Sequence, residues 1–339
     1  MKVLVVGFHS FYDLVAVCTQ VLTSLGQETR LFYTNRRGNL LVRLSRRVVR
    51  PFIQGRPLSF YQRSKEEMND RLVKTTTAFR PDLLFVIKGD DIFPQTLQRL
   101  KALGGLRLVN WAVDDPFSPS YPDIAPGIPY YDGFFIPDRS YELRLKQGGA
   151  REVKFLPFAC NPAVHRTISL TSGERRRFGS AVCFVGTVHR SRIDVLGSLI
   201  GLDLAIWGEP FQDPEATVLQ AKYRGRAGQK QLAKIYNASR IALNPHHPQA
   251  VEGTNMRTFE AAACGIFQLT DRKRYLEETF AFGEEIVCYE DPREVAGLVR
   301  YYLSHEEERR SIALRMQEKV LREHTYRHRM QQVLQEETK

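Results

Sequence analysis

The chain has 339 residues, 43% hydrophobic and 26% charged, with a formal net charge of +11 and five cysteines. That is the make-up of a soluble globular protein with room for two domains of ordinary size. The cysteines are odd in number and scattered and no run of about 18 apolar residues occurs, so a disulfide framework, a Cys-x-x-Cys metal site and a membrane span are all excluded as expectations.

Residues 1–7 are apolar over too short a run for a signal peptide before His9 and Asp13 interrupt them. They predict a buried strand ending at Gly7. Leu14, Val17, Cys18, Val21, Leu22 and Leu25 then follow at helical spacing up to Gly26, the opening of a βαβ unit. Residues 29–33 predict a second strand. Nine arginines stand from Arg30 to Arg63 with no acidic residue among them, and Leu40, Leu41, Leu44, Val48 and Val49 interleave with Arg43, Arg46, Arg47 and Arg50. This is the pattern of a basic amphipathic helix. It suits an anionic membrane surface, an anionic acceptor molecule, or a plain solvated face. Nucleic acid suits it less, because no aromatic platform is interleaved.

Residues 66–79 predict a helix, 80–88 a strand led in by Pro81, 94–103 a helix with Pro94 at its first position, and 106–113 and 131–136 two more strands. Residues 153–158 close the first cycle, and Pro157 with Pro162 marks a linker. Strands alternating with helices of this length give a parallel sheet with helices on both faces, whose ligands gather outside the carboxyl ends of the strands. The polar side chains collected there are His9, Ser10, Lys88, Asp90, Asp91, Asp114, Asp115 and Asp138.

Residues 166–180 are polar and weakly patterned, a surface loop or short helix. Residues 181–186 then repeat the apolar run into glycine. A helix through Ile193, Leu196, Leu199 and Ile200 follows, then a strand over 202–207, a helix over 230–239 and a strand over 240–244. Pro245-His-His-Pro248 is a rigid loop leading to Glu252-Gly-Thr-Asn-Met-Arg-Thr-Phe-Glu-Ala-Ala-Ala-Cys-Gly265. Here Asn255 suits an N-cap, Met256, Phe259 and Ala263 share one face, and Gly265 suits a left-handed C′ position. The result is a short buried helix whose positive end faces the preceding loop, a place for a phosphate. Segments 278–282 and 286–289 close this half. From Pro292 the chain is almost wholly helical, with 314–334 long enough to leave its own domain.

These residues carry a resemblance. Two α/β halves with a helical tail look like the GT-B architecture of two facing Rossmann-like domains. Glu252 and Glu260, separated by seven residues and followed by Ala-Ala-Ala-Cys-Gly, resemble the donor motif of retaining, group-1-type GT-B glycosyltransferases. The stretch from Asn255 to Asp271 is similar to spore-maturation CgeB-like proteins, as are residues 184–196 and 236–244. The resemblance implies domains over 1–160 (acceptor side) and 161–313 (nucleotide-sugar side), with 314–339 packing back on the first. It implies that Glu260 bonds the ribose of a nucleoside-diphosphate sugar, that Gly186, Thr187 and Arg192 hold the diphosphate, and that Asn255 and the amides after it face the same group or the sugar. Arg257 joins this set; its plain alternative is a surface ion pair with Glu260. Glu252 stands in a loop that departs from the usual Gly-Phe-Gly. His9 and Asp114 are the candidates beside it for sugar or acceptor chemistry.

No metal is expected, since Asp90-Asp91 and Asp114-Asp115 are adjacent pairs that point to opposite sides of a strand. The nucleotide sugar is a co-substrate rather than a resident cofactor. The implied function is a metal-independent hexosyl transfer to a glycan, protein or lipid-linked acceptor, in the cytoplasm or peripherally on the inner face of the membrane through residues 36–63. The alternatives are an epimerase or hydrolase on the same fold, and a non-catalytic anion- or carbohydrate-binding protein.

Overall fold

The structure is a computed structural model that describes residues 1–9, 13–35 and 58–337. The basic helix expected over residues 40–50 and the side chain of Ser10 lie outside the described residues. The chain divides into two compact units, one of Met1–Ile136 with Tyr141–Leu156 and one of Pro137–Ser140 with Pro157–Lys339.

The first unit is built on β1 (Lys2–Gly7), β2 (Glu28–Tyr33), β3 (Leu83–Ile87), β4 (Arg107–Trp111), β5 (Gly133–Ile136) and β6 (Val153–Phe155), all parallel in the order β2-β1-β3-β4-β5-β6. Side chains alternate across it. Leu4, Val6, Leu84, Val86, Leu108 and Phe134 enter one core, while Phe85, Trp111 and Phe135 stack on the other face. Helices α1 (Leu14–Ser24), α2 (Leu58–Phe79), α3 (Pro94–Lys101), α4 (Ile124–Gly127) and α5 (Glu142–Gln147) make the connections. The strand expected over 80–88 is shorter at both ends because Arg80 and Lys88 are left-handed, at φ 51° and 70°.

The second unit carries β7 (Val182–Val185), β8 (Leu204–Trp207), β9 (Tyr223–Gly225), β10 (Ile241–Asn244), β11 (Phe267–Asp271) and β12 (Val287–Tyr289), parallel in the order β12-β11-β10-β7-β8-β9. In chain order this is the doubly wound 3-2-1-4-5-6 arrangement, with its switch point between β7 and β10. Val182, Phe184, Leu204 and Ile206 fill one core; Cys183, Val185, Ala205 and Trp207 fill the other. Its helices are α6 (Ser172–Phe178), α7 (Arg190–Gly197), α8 (Gln229–Ala238), α9 (Met256–Ala263), α10 (Arg274–Thr279), α11 (Val295–Ser304), α12 (Glu306–Glu323) and α13 (Tyr326–Glu337).

Residues 172–178 form the short helix that the sequence reading of 166–180 allowed, fixed by a capping box between Thr171 and Glu174. Two features differ from that reading. The edge strand β9 is too short for its pattern to show. The helical tail breaks at His324, where Thr325 bridges to Cys160, and it groups with the second unit. Arg329 of α13 is buried there, and its guanidinium donates to the Pro157 and Phe158 carbonyls. Among the described residues no helix is long and apolar enough to cross a membrane, and the five cysteines are free thiols.

Candidate functional site

The switch point of the second sheet is where strand order reverses and two loops part. Gly186 and Thr187 follow β7, and Pro245 and His246 follow β10. The loop after β8 packs so closely on Gly186 that a Cβ on Gly208 would clash with the Gly186 carbonyl. Arg192 on α7 reaches across this gap. Its Nε donates to the Pro245 carbonyl at 2.9 Å and its Nη1 to the Thr187 carbonyl at 2.7 Å, with the guanidinium against the Phe184 ring. Arg192 is 8% exposed, and no ion pair with a carboxylate is formed by it among the described residues. Burial lowers its pKa to about 10, with Asp271 and Tyr289 acting the other way, so it stays charged at neutral pH. A buried cation held by two carbonyls retains an unbalanced charge that an anion would neutralise. The rings of His189 and His247 meet edge to face at 4.6 Å beside it.

Helix α9 starts at the neighbouring loop. Asn255 is its N-cap, accepting the Thr258 amide at 3.2 Å, and its own amide donates to Asn244 Oδ1 at 2.9 Å. Asn244 in turn donates to Gln268 Oε1 and Thr258 Oγ1, so the side chain of Asn255 is committed to a buried amide network. What faces outward is the positive end of α9. Gly265 ends the helix at φ 76°.

Arg257 and Glu260 are not a surface pair. Their side chains are 10% and 3% exposed and ion-paired through Arg257 Nη1 and Glu260 Oε2, while Arg257 Nε donates to the Val185 carbonyl at the end of β7. The other carboxylate oxygen, Oε1, lies 3.7 Å from His165 Nε2.

The loop before α9 is anchored by Asp138. Its buried carboxylate accepts the amides of Val251 at 2.8 Å, Glu252 at 3.1 Å and Gly253 at 2.9 Å, and also that of Ser140 at 3.0 Å. Gly253 is required here, since a Cβ would strike the Pro137 carbonyl. Glu252 is fixed by its backbone and leaves its carboxylate one-third exposed, 3.9 Å from Arg274. Beneath the loop, His246 Nδ1 meets Asp271 at 2.7 Å and its Nε2 meets Thr254 Oγ1 at 2.6 Å. Burial raises the Asp271 pKa, but hydrogen bonds and charge from His246, then Lys273, outweigh it and hold the carboxyl well below its usual range. Nothing in the local sequence marks His165 as a partner of this motif; Asp138 shows itself only as a polar residue at a strand end, His246 only as part of the Pro245–Pro248 loop, and Asp271 only as the end of the stretch from Asn255.

An open depression of about 510 Å³ lies outside β11 and β12, lined in part by Arg272, Lys273 and Arg274. Those cations are already matched: Arg272 with Glu277 and Glu290, Lys273 with Asp271, Arg274 with Glu278. Arg192, by contrast, forms no ion pair among the described residues, and Asp271 acts on its charge only from beyond ion-pair distance.

In the first unit, His9 Nδ1 meets Asp13 Oδ2 at 2.8 Å, and Tyr33 donates to the same oxygen. Asp114 pairs with Lys88 at 3.0 Å, and Asp90 with the same ammonium at 3.3 Å. Burial works to lower the Lys88 pKa, yet Asp114 and Asp90 outweigh it and raise it. Lys88 also sits 3.8 Å over the Tyr121 ring. His9 and Asp114 thus belong to two separate polar clusters. Among the described residues no group of three or more His, Cys, Asp or Glu side chains is placed to hold a metal.

Residues 189–335, which hold Arg192, Asn255, Arg257 and Glu260, match a family described as glycosyl transferase-like. This span, a little under half of the chain, is similar to that family. The Bacillus subtilis spore protein CgeB is 24% identical over 259 residues, 70% of this chain and 76% of CgeB. Among solved structures, a sucrose-phosphate synthase from Thermosynechococcus elongatus matches with a TM-score of 0.69 at 12% identity, over 99% of this chain and 98% of that one. Anabaena Alr3699/HepE in complex with UDP-glucose matches at 0.67 and 11% identity, over 99% of both chains. At such identities the likeness is one of fold, and the fold is GT-B. Asp138, His165, Gly186 and Thr187 lie ahead of the matched span and meet its residues only in three dimensions.

Proposed function

We propose that the chain is a hexosyltransferase that moves a sugar from a nucleoside-diphosphate sugar, held by the second unit, to an acceptor held mainly by the first. The observation that carries this is Arg192: a charged, buried guanidinium without a carboxylate partner at the switch point of the second sheet, next to the positive end of α9. Glu260 takes the ribose hydroxyls. Gly186, Thr187, Arg192 and the amides that open α9 take the diphosphate, and Arg257 holds Glu260 charged and in place. The UDP-glucose complex of the Anabaena protein supports a donor of this class on the same fold.

The chemistry asked of the protein is mainly electrostatic. As the glycosidic bond breaks, negative charge grows on the departing diphosphate. A fixed guanidinium and a helix N-terminus stabilise that charge without reorganisation, an effect worth about 3–4 kcal/mol per well-placed donor. Transfer proceeds with retention in this reading and draws no charge compensation from a metal. His9 and Asp114 are assigned to the acceptor side, and Glu252, with its partly exposed carboxylate, to the sugar.

Incubation with UDP-, GDP-, ADP- and dTDP-sugars tests the proposal. Release of free nucleoside diphosphate by the parent protein, lost in Glu260→Ala and Arg192→Ala, is the expected result. Tight nucleotide binding without release on any acceptor would instead mark a binding protein, the reading favoured by the departure from Gly-Phe-Gly at residues 253–255. Release that survives both substitutions would overturn the site.

A further inference from the structure

Glu260 has a neighbour 95 positions earlier in the chain. His165 closes a tight turn that opens at Asn161, whose carbonyl accepts the amides of Val164 at 3.0 Å and His165 at 2.8 Å, while its side chain accepts the Ala163 amide. The imidazole folds back so that Nδ1 accepts the Asn161 amide at 3.1 Å. An Nδ1 that accepts carries no hydrogen, so in the neutral ring the proton is on Nε2. Burial lowers the His165 pKa, with Glu260 opposing and Arg257 assisting, which keeps the ring neutral at pH 7. His165 is 2% exposed, and its Nε2 is buried with no hydrogen-bond acceptor in range. Glu260 Oε1 stands 3.7 Å away, just beyond a hydrogen bond. A buried N–H left unpaired is costly, and here the group beside it is a carboxylate whose other oxygen alone is held, by Arg257.

We propose that His165 is a positioning residue for ribose recognition, its Nε2–H donating to Glu260 Oε1 in the nucleotide-bound protein. Held by Arg257 at Oε2 only, the carboxylate can rotate about its bond to the chain. A second donor at Oε1 fixes its plane, so that the lone pairs left over face two adjacent hydroxyls. The inference rests on the reading of the second unit as a nucleoside-diphosphate-sugar site.

Calorimetry with UDP and 2′-deoxy-UDP on the full chain separates the two, with the ribo and deoxy forms of GDP and ADP used in the same way. The parent protein should prefer the ribonucleotide. His165→Phe should weaken the ribonucleotide by about tenfold, the worth of one charge-assisted hydrogen bond, and leave the deoxynucleotide nearly unchanged. His165→Gln, whose amide places a donor near the former Nε2, should restore most of the preference, whereas His165→Asn, whose shorter amide cannot, should not. Equal weakening of both nucleotides by His165→Phe would show a packing role and overturn the proposal; if that variant fails to fold, the comparison of Gln with Asn decides, and equal behaviour of those two overturns it. A ribose preference abolished by Glu260→Ala but untouched by the His165 variants would sink this inference and leave the donor site standing. Absence of binding to all of these nucleotides would sink both.

Discussion

Arg257 and Glu260 sit one helical turn apart, a spacing that on a solvated helix is worth a few tenths of a kcal/mol. Their burial changes the arithmetic. The guanidinium is tied to both Glu260 and the Val185 carbonyl, so truncating it would strand a carboxylate that is 3% exposed. Arg257→Met should therefore cost about 3–5 kcal/mol in chemical denaturation, and adding Glu260→Gln should recover most of that loss, because removing both charges is far cheaper than removing one. A cost below about 1 kcal/mol for the single variant would mean that water reaches the pair. The spacing of the pair was visible in the sequence; its burial was not, because that depends on β7 and the turn at His165.

At the scale of elements, the break in the helical tail gives a pH-dependent prediction. His324 separates α12 from α13, lies against the Phe259 and Phe280 rings, and accepts a hydrogen bond at Nδ1 from Arg329 Nη2 at 2.8 Å. Protonating it would break that bond and set two cations together. Burial first, then Arg329, Lys319 and His328, lower its pKa to about 3, with Glu285 opposing. The folded value thus lies below the ordinary value of about 6.5, so the stability linked to His324 is intact above pH 6.5 and is lost as pH falls from there toward 3. Between pH 7 and pH 5 the loss from this group is about 2 kcal/mol, and His324→Phe, which keeps the ring packing, should flatten the stability profile by that amount in urea titrations. An unchanged slope would contradict a neutral buried ring.

The elements themselves were largely legible. Apolar runs into Gly7 and Gly186 marked β1 and β7, and Asn255 and Gly265 marked the ends of α9, since caps and buried parallel strands leave local signatures. The tail was misread as a long helix because residues 314–334 keep a helical pattern through His324, and the break there follows from the bridge of Thr325 to Cys160. The partners of the site escaped for a similar reason. Asp138 meets the loop amides from 113 positions away, and no local pattern announces a carboxylate that will be satisfied by backbone.

For the whole molecule, two parallel six-stranded sheets and a span that matches a glycosyl transferase-like family give the frame, and a formal charge of +11 suits an anionic donor and an anionic acceptor alike. The role proposed for the second unit rests on three things near one switch point: Arg192, which forms no ion pair among the described residues, the positive end of α9, and the carboxylate of Glu260. Each alone is common in α/β proteins. In that proposal Arg192 and the positive end of α9 take the diphosphate, whose charge grows as it departs, and Glu260 takes the ribose. The most direct test is a crystal structure of the chain with UDP-glucose. The account predicts diphosphate oxygens within hydrogen-bond distance of Arg192 and the opening amides of α9, and ribose hydroxyls on Glu260; a nucleotide seated instead among Arg272, Lys273 and Arg274, or held with Arg192 and Glu260 both out of reach, would contradict it.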